Sequence, residues 1–312
     1  MTLGRAHPLC ETEGMIPLRI ACIGKHGQTA QALHAAAGYA SIELRQAGRD
    51  GADLTDPEAL EAFLLQSKPH VIINAGSYNF LDRAETDEAT AFAVNAEGPR
   101  TLARLCRRHG VQLIHMSTDC VFDGAKPSPY TEEDDPGPLS AYGRSKRAGE
   151  IAVAQEHPEA VTTRVCWVFS EFADSFVSKA IGWARTQSSL RIVSDQIGPP
   201  TYAPDIALAL IRLARVKVDG AHDLHGLLHL ASPEVMTRLD MARAIMAESR
   251  RQGGPFAEIE PVTTAAFNAP ARRPLNARLS GARASERLGL AWTPWQTALE
   301  RSVAGVLARG GW

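Results

Sequence analysis

The stretch Leu18-Arg19-Ile20-Ala21-Cys22-Ile23-Gly24-Lys25-His26-Gly27-Gln28 decides how the chain is read. An apolar run is followed at once by a turn with two glycines, and residues 30–37, rich in alanine and leucine, then carry helical spacing. Strand, glycine turn and helix in that order open a dinucleotide-binding unit. Gly24 and Gly27 let a pyrophosphate approach backbone N–H groups at the positive end of the helix, because no side chain stands in the way. Ala30 replaces a third glycine and is small enough for close helix packing.

Outward from that unit the alternation repeats. A strand is predicted at 41–45, and Asp53-Leu54-Thr55-Asp56-Pro57 caps a helix at 57–66. Residues 70–74 are apolar without alternation, as in a strand covered on both faces. Helices at 88–95 and 98–109 precede a strand at 112–116 that ends in Ser117-Thr118-Asp119. The order predicts an α/β fold of Rossmann type, a doubly wound parallel sheet. Ligands of such sheets bind beyond the carboxyl ends of the strands, where the polar clusters after Ile23, Ile73 and Met116 all fall. Beyond about residue 168 the pattern loosens into a helix at 205–216, a strand at 226–231, a helix at 239–251 and a weakly periodic segment at 253–276. The expected division is a flexible tail at 1–14 and a nucleotide-binding domain at 15–168 with a contribution from 203–225. A smaller C-terminal substrate-binding lobe takes 169–202 and 226–312.

With 312 residues, 45% hydrophobic and 22% charged, the composition is that of an ordinary globular protein. A formal charge of -2 and scattered Lys and Arg argue against nucleic acid as a partner. No apolar run approaches the roughly 20 residues of a membrane helix, and residues 1–14 lack a signal peptide's apolar core, so the cytoplasm is expected. Cys10, Cys22, Cys106, Cys120 and Cys166 show no metal-ligand spacing and are expected as reduced thiols, with no metal bound.

Tyr142-Gly143-Arg144-Ser145-Lys146 places a phenol and an ammonium on one helical face. A phenol is a poor acid–base group at neutral pH, and a nearby ammonium favours its ionised form. The same ammonium can hold nicotinamide ribose hydroxyls. Thr118, at a strand end, offers a hydroxyl to a substrate carbonyl, so Thr118, Tyr142 and Lys146 are the catalytic candidates. At the end of the second strand, where an acidic ribose partner is usual, stands Arg45; this points to NADPH, with NADH the alternative. Cys120 has no positioned base, since His115 lies on the preceding strand, and is not expected as a nucleophile.

With these residues in view, the chain resembles the extended short-chain dehydrogenase/reductases and, within them, the dTDP-4-dehydrorhamnose reductases. The resemblance runs from about residue 18 to 305 and rests on Gly24-Lys25-His26-Gly27-Gln28, Asp53-Leu54-Thr55-Asp56, Ser117-Thr118-Asp119-Cys120-Val121-Phe122-Asp123-Gly124, Tyr142-Gly143-Arg144-Ser145-Lys146, Asp195-Gln196-Ile197-Gly198-Pro199-Pro200-Thr201 and Arg272-Arg273-Pro274-Leu275-Asn276. It implies reduction of the C4 ketone of a nucleotide-linked 4-keto-6-deoxysugar, with Tyr142 giving the proton and Thr118 orienting the carbonyl. Gly24, Gly27, Gln28 and Thr29 would hold the pyrophosphate, and Asp53 and Leu54 would flank the adenine. Ala75, Gly76, Ser77 and Asn95 would line the cofactor cleft. Thr118, Asp119, Cys120, Phe122, Trp167, Gln196 and Arg273 would face the substrate, Trp167 as a wall and Arg273 as a diphosphate partner. The chain departs from the family at Cys120, where tyrosine is usual, and at Ser175, where asparagine is usual. Two other readings stay open: a cofactor-binding regulatory subunit like the beta subunit of S-adenosylmethionine synthetase, and an epimerase or dehydratase of the same superfamily. A homodimer is compatible with the sequence.

Overall fold

The structure is a computed structural model that describes residues 17–38, 40, 42–220 and 223–310. The expected tail at 1–14, with Cys10, lies outside the described residues. β1 (Leu18–Ile23), β2 (Ile42–Ala47), β3 (Val71–Asn74), β4 (Gln112–Thr118), β5 (Val161–Val165) and an edge strand, Gly226–Leu230, form one sheet. Its order is edge strand, β5, β4, β3, β1, β2, with every pairing parallel.

Strands buried on both faces explain the missing polar–apolar alternation. In β1, Leu18, Ile20 and Cys22 enter one core while Ala21 and Ile23 enter the other; in β3, Val71 and Ile73 oppose Ile72 in the same way. Helices Gln28–Ala37 and Ala203–Val218 cover the first face through Leu33, Ile206 and Leu210. Helices Pro57–Ser67 and Gly98–Arg108 cover the second through Leu60, Leu64 and Leu102. The winding reverses between β1 and β3, so the loops that follow these strands part and leave a crevice.

A second core gathers Val177, Ile181, Leu190, Ile192, Met241, Ile245, Leu299 and Val303. It lies between helices Phe176–Trp183, Arg238–Arg251 and Trp295–Arg309 and the parallel strand pair Ser189–Val193 and Glu258–Val262.

The doubly wound parallel sheet is the one the sequence predicts, with several differences in detail. β2 continues to Ala47, and β4 continues through Thr118. The helices expected at 88–95 and 98–109 form one rod, Glu88–Phe92 and Gly98–Arg108 joined by a π-helical turn, Ala93–Glu97. Strand Gly226–Leu230 pairs with β5 and belongs to the sheet, not to the second lobe. Helix Ala282–Leu288 also packs on the sheet's core, through Ala284 and Leu288. β5 escapes sequence reading because Val-Thr-Thr-Arg-Val carries Arg164, fully buried, whose charge is met by a bidentate pair with Glu150 at 2.8 Å. Among the described residues no helix is long and apolar enough to cross a membrane, and no group of three His, Cys, Asp or Glu is placed to hold a metal ion.

Candidate active site

β4 delivers Ser117 and Thr118 to the crevice and a 3-10 turn, Asp119–Val121, follows. The helix Ala141–Glu156 begins beside that turn. Ser140 caps it by accepting a hydrogen bond from Gly143 N–H at 3.1 Å, and Glu85 accepts one from Ala141 N–H at 2.9 Å. A Cβ at position 143 would collide with the carbonyl oxygen of Cys120. Only glycine there lets the first helical turn lie against the β4 turn, so that Tyr142 and Lys146 share one cleft with Thr118.

Burial sets the electrostatics. The Tyr142 phenol is pushed upward, first by loss of solvent and then by the Cys120 thiol and Asp119, while the Thr118 hydroxyl acts the other way. The phenol therefore stays protonated at neutral pH. Lys146 Nζ donates to Met116 O at 2.6 Å, and its burial lowers the ammonium's pKa to about 8 against the opposing pull of Glu150. The expected lowering of the phenol's pKa by Lys146 is absent, since that ammonium is directed to the β4 carbonyl. Asp119 accepts from Thr118 Oγ1 at 3.1 Å, yet burial raises its carboxyl to about 6.

On the cofactor side, Gly24 has φ +119°, and a Cβ there would press on the Ala75–Gly76 backbone at 3.1–3.2 Å. The loops after β1 and β3 can cross closely for that reason. Gly27 begins the helix Gln28–Ala37 without a side-chain cap, and a Cβ on it would meet nothing within 4 Å. An uncapped helix start facing a cleft of about 880 Å³ fits a dinucleotide's pyrophosphate. Gly27, Gln28, Thr29, Ala75, Gly76 and Ser77 line this side. The Gln28 amide donates to Val168 O at 3.1 Å and accepts from Ser170 at 3.0 Å, so it ties the turn to the second lobe.

Several expected residues lie elsewhere. Asn95 is fully buried in the π-helical turn, where its amide clasps the Tyr78 backbone in both directions at 2.9 Å and reaches Ser145 Oγ at 3.0 Å. It supports the cleft without lining it. Phe122 is also a core residue, stacked on Tyr130 with ring centroids 4.1 Å apart and under the Arg164 guanidinium. Asp53 accepts from Thr55 N–H and Oγ1 at 2.8 Å, and Leu54 is buried against Gly76 and Gly98; neither lines the cleft. Arg45 is not at the strand end; its Nη1 donates to Gln66 O at 3.3 Å, and the arginine that follows β2 is Arg49.

On the substrate side Asp119, Cys120, Trp167, Gln196 and Arg273 all line the cleft. Trp167 holds φ +42° and lies close over Gly198. Gln196 Nε2 donates to Thr264 Oγ1 at 3.1 Å. Arg273 is bound bidentately by Asp82 at 2.9 and 3.1 Å and also donates to Ala271 O at 2.9 Å. Ser175 is occupied in a reciprocal capping pair with Ser178 that starts helix Phe176–Trp183. Sequence reading missed Phe172, Lys179 and Arg238, which also line the cleft. Thr237 signals a helix start, and it does cap one by accepting from Asp240 N–H at 3.0 Å, but nothing local announces that Arg238 meets Trp167.

The model of the RmlD substrate binding domain matches residues 18–307. Over 294 residues the chain is 36% identical to the dTDP-4-dehydrorhamnose reductase of Sinorhizobium fredii, covering 94% of this chain and 99% of that protein. The chain belongs to the dTDP-4-dehydrorhamnose reductase family. A family structure from Bacillus anthracis, in complex with NADP, superposes with a TM-score of 0.83 at 25% identity, covering 94% of this chain and 100% of the other. The chain is also 37% identical over 265 residues to a probable dTDP-4,6-dihydroxy-2-methyloxan-3-one 4-ketoreductase of Streptomyces antibioticus, covering 84% of this chain and 86% of that one.

Proposed function

We propose that this protein is an NADPH-dependent oxidoreductase that reduces the C4 ketone of a nucleotide-linked 4-keto-6-deoxysugar. The observation that carries the reading is the meeting of Thr118, Tyr142 and Lys146 in one cleft with an uncapped helix start. The nicotinamide, when bound, supplies a hydride. Thr118 and Tyr142 hold the carbonyl oxygen, and Tyr142 Oη gives it the proton that the new alcohol requires. The phenol is protonated before hydride addition, and the alkoxide that forms is basic enough to take its proton. Lys146 holds ribose hydroxyls with its ammonium and so aligns cofactor and phenol. Gly27 and Thr29 with the backbone of Gln28 take the pyrophosphate beside the loop crossing that Gly24 permits, and Ala75, Gly76 and Ser77 wall the cofactor side. Trp167, Cys120 and Gln196 bound the sugar nucleotide, under a lobe built on residues 169–202, 236–262 and 295–309. We place the reaction in the cytoplasm; the free thiols Cys22, Cys106, Cys120 and Cys166 suit that compartment.

The test is loss of NADPH absorbance with a panel of nucleotide-linked 4-ketosugars. Tyr142→Phe is expected to lower kcat by about 100-fold or more, while NADPH affinity changes by less than about twofold. Turnover near wild type in that variant would remove Tyr142 from its role. No oxidation by the wild type across the panel, with tight NADPH binding, would favour a regulatory protein.

A further inference from the structure

Arg238 is the first residue of helix Arg238–Arg251, and its side chain lines the cleft. Its guanidinium carbon lies over Trp167, 3.6 Å from the ring centroid, and 4.8 Å from that of Phe176. Packing against two rings restrains the guanidinium, and rings leave most of its N–H donors for other groups. Among the described residues the side-chain atom that accepts a hydrogen bond from it is Met241 Sδ, a weak acceptor, at 3.5 Å. Among the described residues no carboxylate makes an ion pair with it. Asp119, the anion on the cleft floor, accepts from Thr118 and attracts the guanidinium without forming an ion pair with it.

The other cations of the cleft are differently placed. Arg273 is closed by Asp82 and Ala271, Lys146 is held at Met116 O, and Lys179 stands in solvent. A half-buried guanidinium with no carboxylate hydrogen-bonded to it is costly to keep out of water, and an anion that accepts directly from its N–H groups would relieve that cost. The substrate class proposed above carries its negative charge on the diphosphate, the ketosugar itself being neutral. We propose that Arg238 binds the diphosphate of the nucleotide sugar, a part the family resemblance gives to Arg273. The inference rests on the proposed reaction and adds the residue that anchors its substrate. It also gives Trp167 a second role, as the platform that orients the guanidinium.

The experiment measures dissociation constants of thymidine diphosphate, thymidine monophosphate and NADPH for the whole protein, the nucleotides being titrated with NADP present. Arg238→Met keeps an unbranched stem over Trp167 and removes the charge. It is expected to weaken thymidine diphosphate by about 10- to 100-fold, the monophosphate less, and NADPH by under about twofold. Arg238→Lys should recover part of the loss, and Arg273→Met should weaken thymidine diphosphate less than Arg238→Met does. Unchanged diphosphate binding in Arg238→Met, with the wild type binding normally, overturns the role of Arg238 alone. Parallel losses of both nucleotides and NADPH would reduce Arg238 to a packing residue and also overturn it. A wild type that binds NADPH but no thymidine nucleotide removes the thymidine-sugar substrate and this anchor together.

Discussion

Asp119 is a carboxyl that folding holds out of water in a site that uses its neighbours. With its pKa raised to about 6, the folded chain binds that proton more tightly than the unfolded one does. Stability from this group is therefore present below the ordinary carboxylate range and lost as pH rises through about 6, leaving an ionised, buried carboxylate at neutral pH. Asp119→Asn keeps an acceptor for Thr118 and removes the charge. Its Tm should exceed the wild type's by several degrees, roughly 2–5 °C, at neutral pH and by little in acid, as calorimetry across that range would show. Lys146 has the opposite sign. Its pKa is lowered to about 8, so its burial is unfavourable below that pH and is relieved as pH climbs towards the ordinary lysine range. In the proposed reaction the ammonium is the form that holds ribose hydroxyls, so kcat/KM for NADPH should fall as pH rises through about 8, reporting the free enzyme. Lys146→Arg, always charged, should lose that alkaline limb; a wild-type profile flat across it would contradict the assignment.

The helix Ala141–Glu156 serves as a ruler that sets Tyr142 and Lys146 against the end of β4. Its position depends on contacts that contain no catalytic atom: the Ser140 cap, the Glu85 bond to Ala141 N–H and the bare Cα of Gly143 against Cys120 O. Gly143→Ala should push the first turn away from Thr118. The expected result is a fall in kcat of at least about tenfold, with urea unfolding showing a loss of about 1–3 kcal/mol. Full activity in a folded Gly143→Ala protein would show that the close approach does not set the site. The π-helical turn Ala93–Glu97 is a second such device, because it places Asn95 where its amide locks Tyr78 and Ser145 together. The family resemblance sets Asn95 in the cofactor cleft, yet here its amide holds the backbone under the site.

Across the whole molecule, one buried network joins the catalytic helix to the sheet. Glu150, one turn beyond Lys146, takes Arg164 of β5 bidentately and Arg147 at 2.9 Å, while Arg164 also reaches His229 of the edge strand at 3.4 Å and the Phe122 ring. Glu150→Gln leaves a buried guanidinium without its charge partner and should cost about 3–5 kcal/mol in urea unfolding. A loss under about 1 kcal/mol would show that the pair is not what fastens the helix to β5.

The same network shows where sequence reading stops. β1, β3 and β4 could be read because they are short apolar runs beside turn residues, and each run reports its own burial on two faces. β5 could not, because its arginine is acceptable in a core only once Glu150 arrives from another element. Strand Gly226–Leu230 was visible as a strand, but its place at the edge of the main sheet depends on pairing with β5. In the site, Gly24, Gly27, Thr118, Tyr142 and Lys146 were legible as motifs, since glycine freedom and helical spacing are local properties. Phe122 shares a motif with Thr118 and Asn95 is named by the resemblance, yet both are buried supports, while Arg238 carries no motif and lies in the cleft. The chain's local chemistry therefore determined the strand–turn–helix units and the reacting groups. Side-chain directions and the pairing of distant charges were settled by packing, because which face of an element meets solvent, ligand or core depends on its neighbours in space.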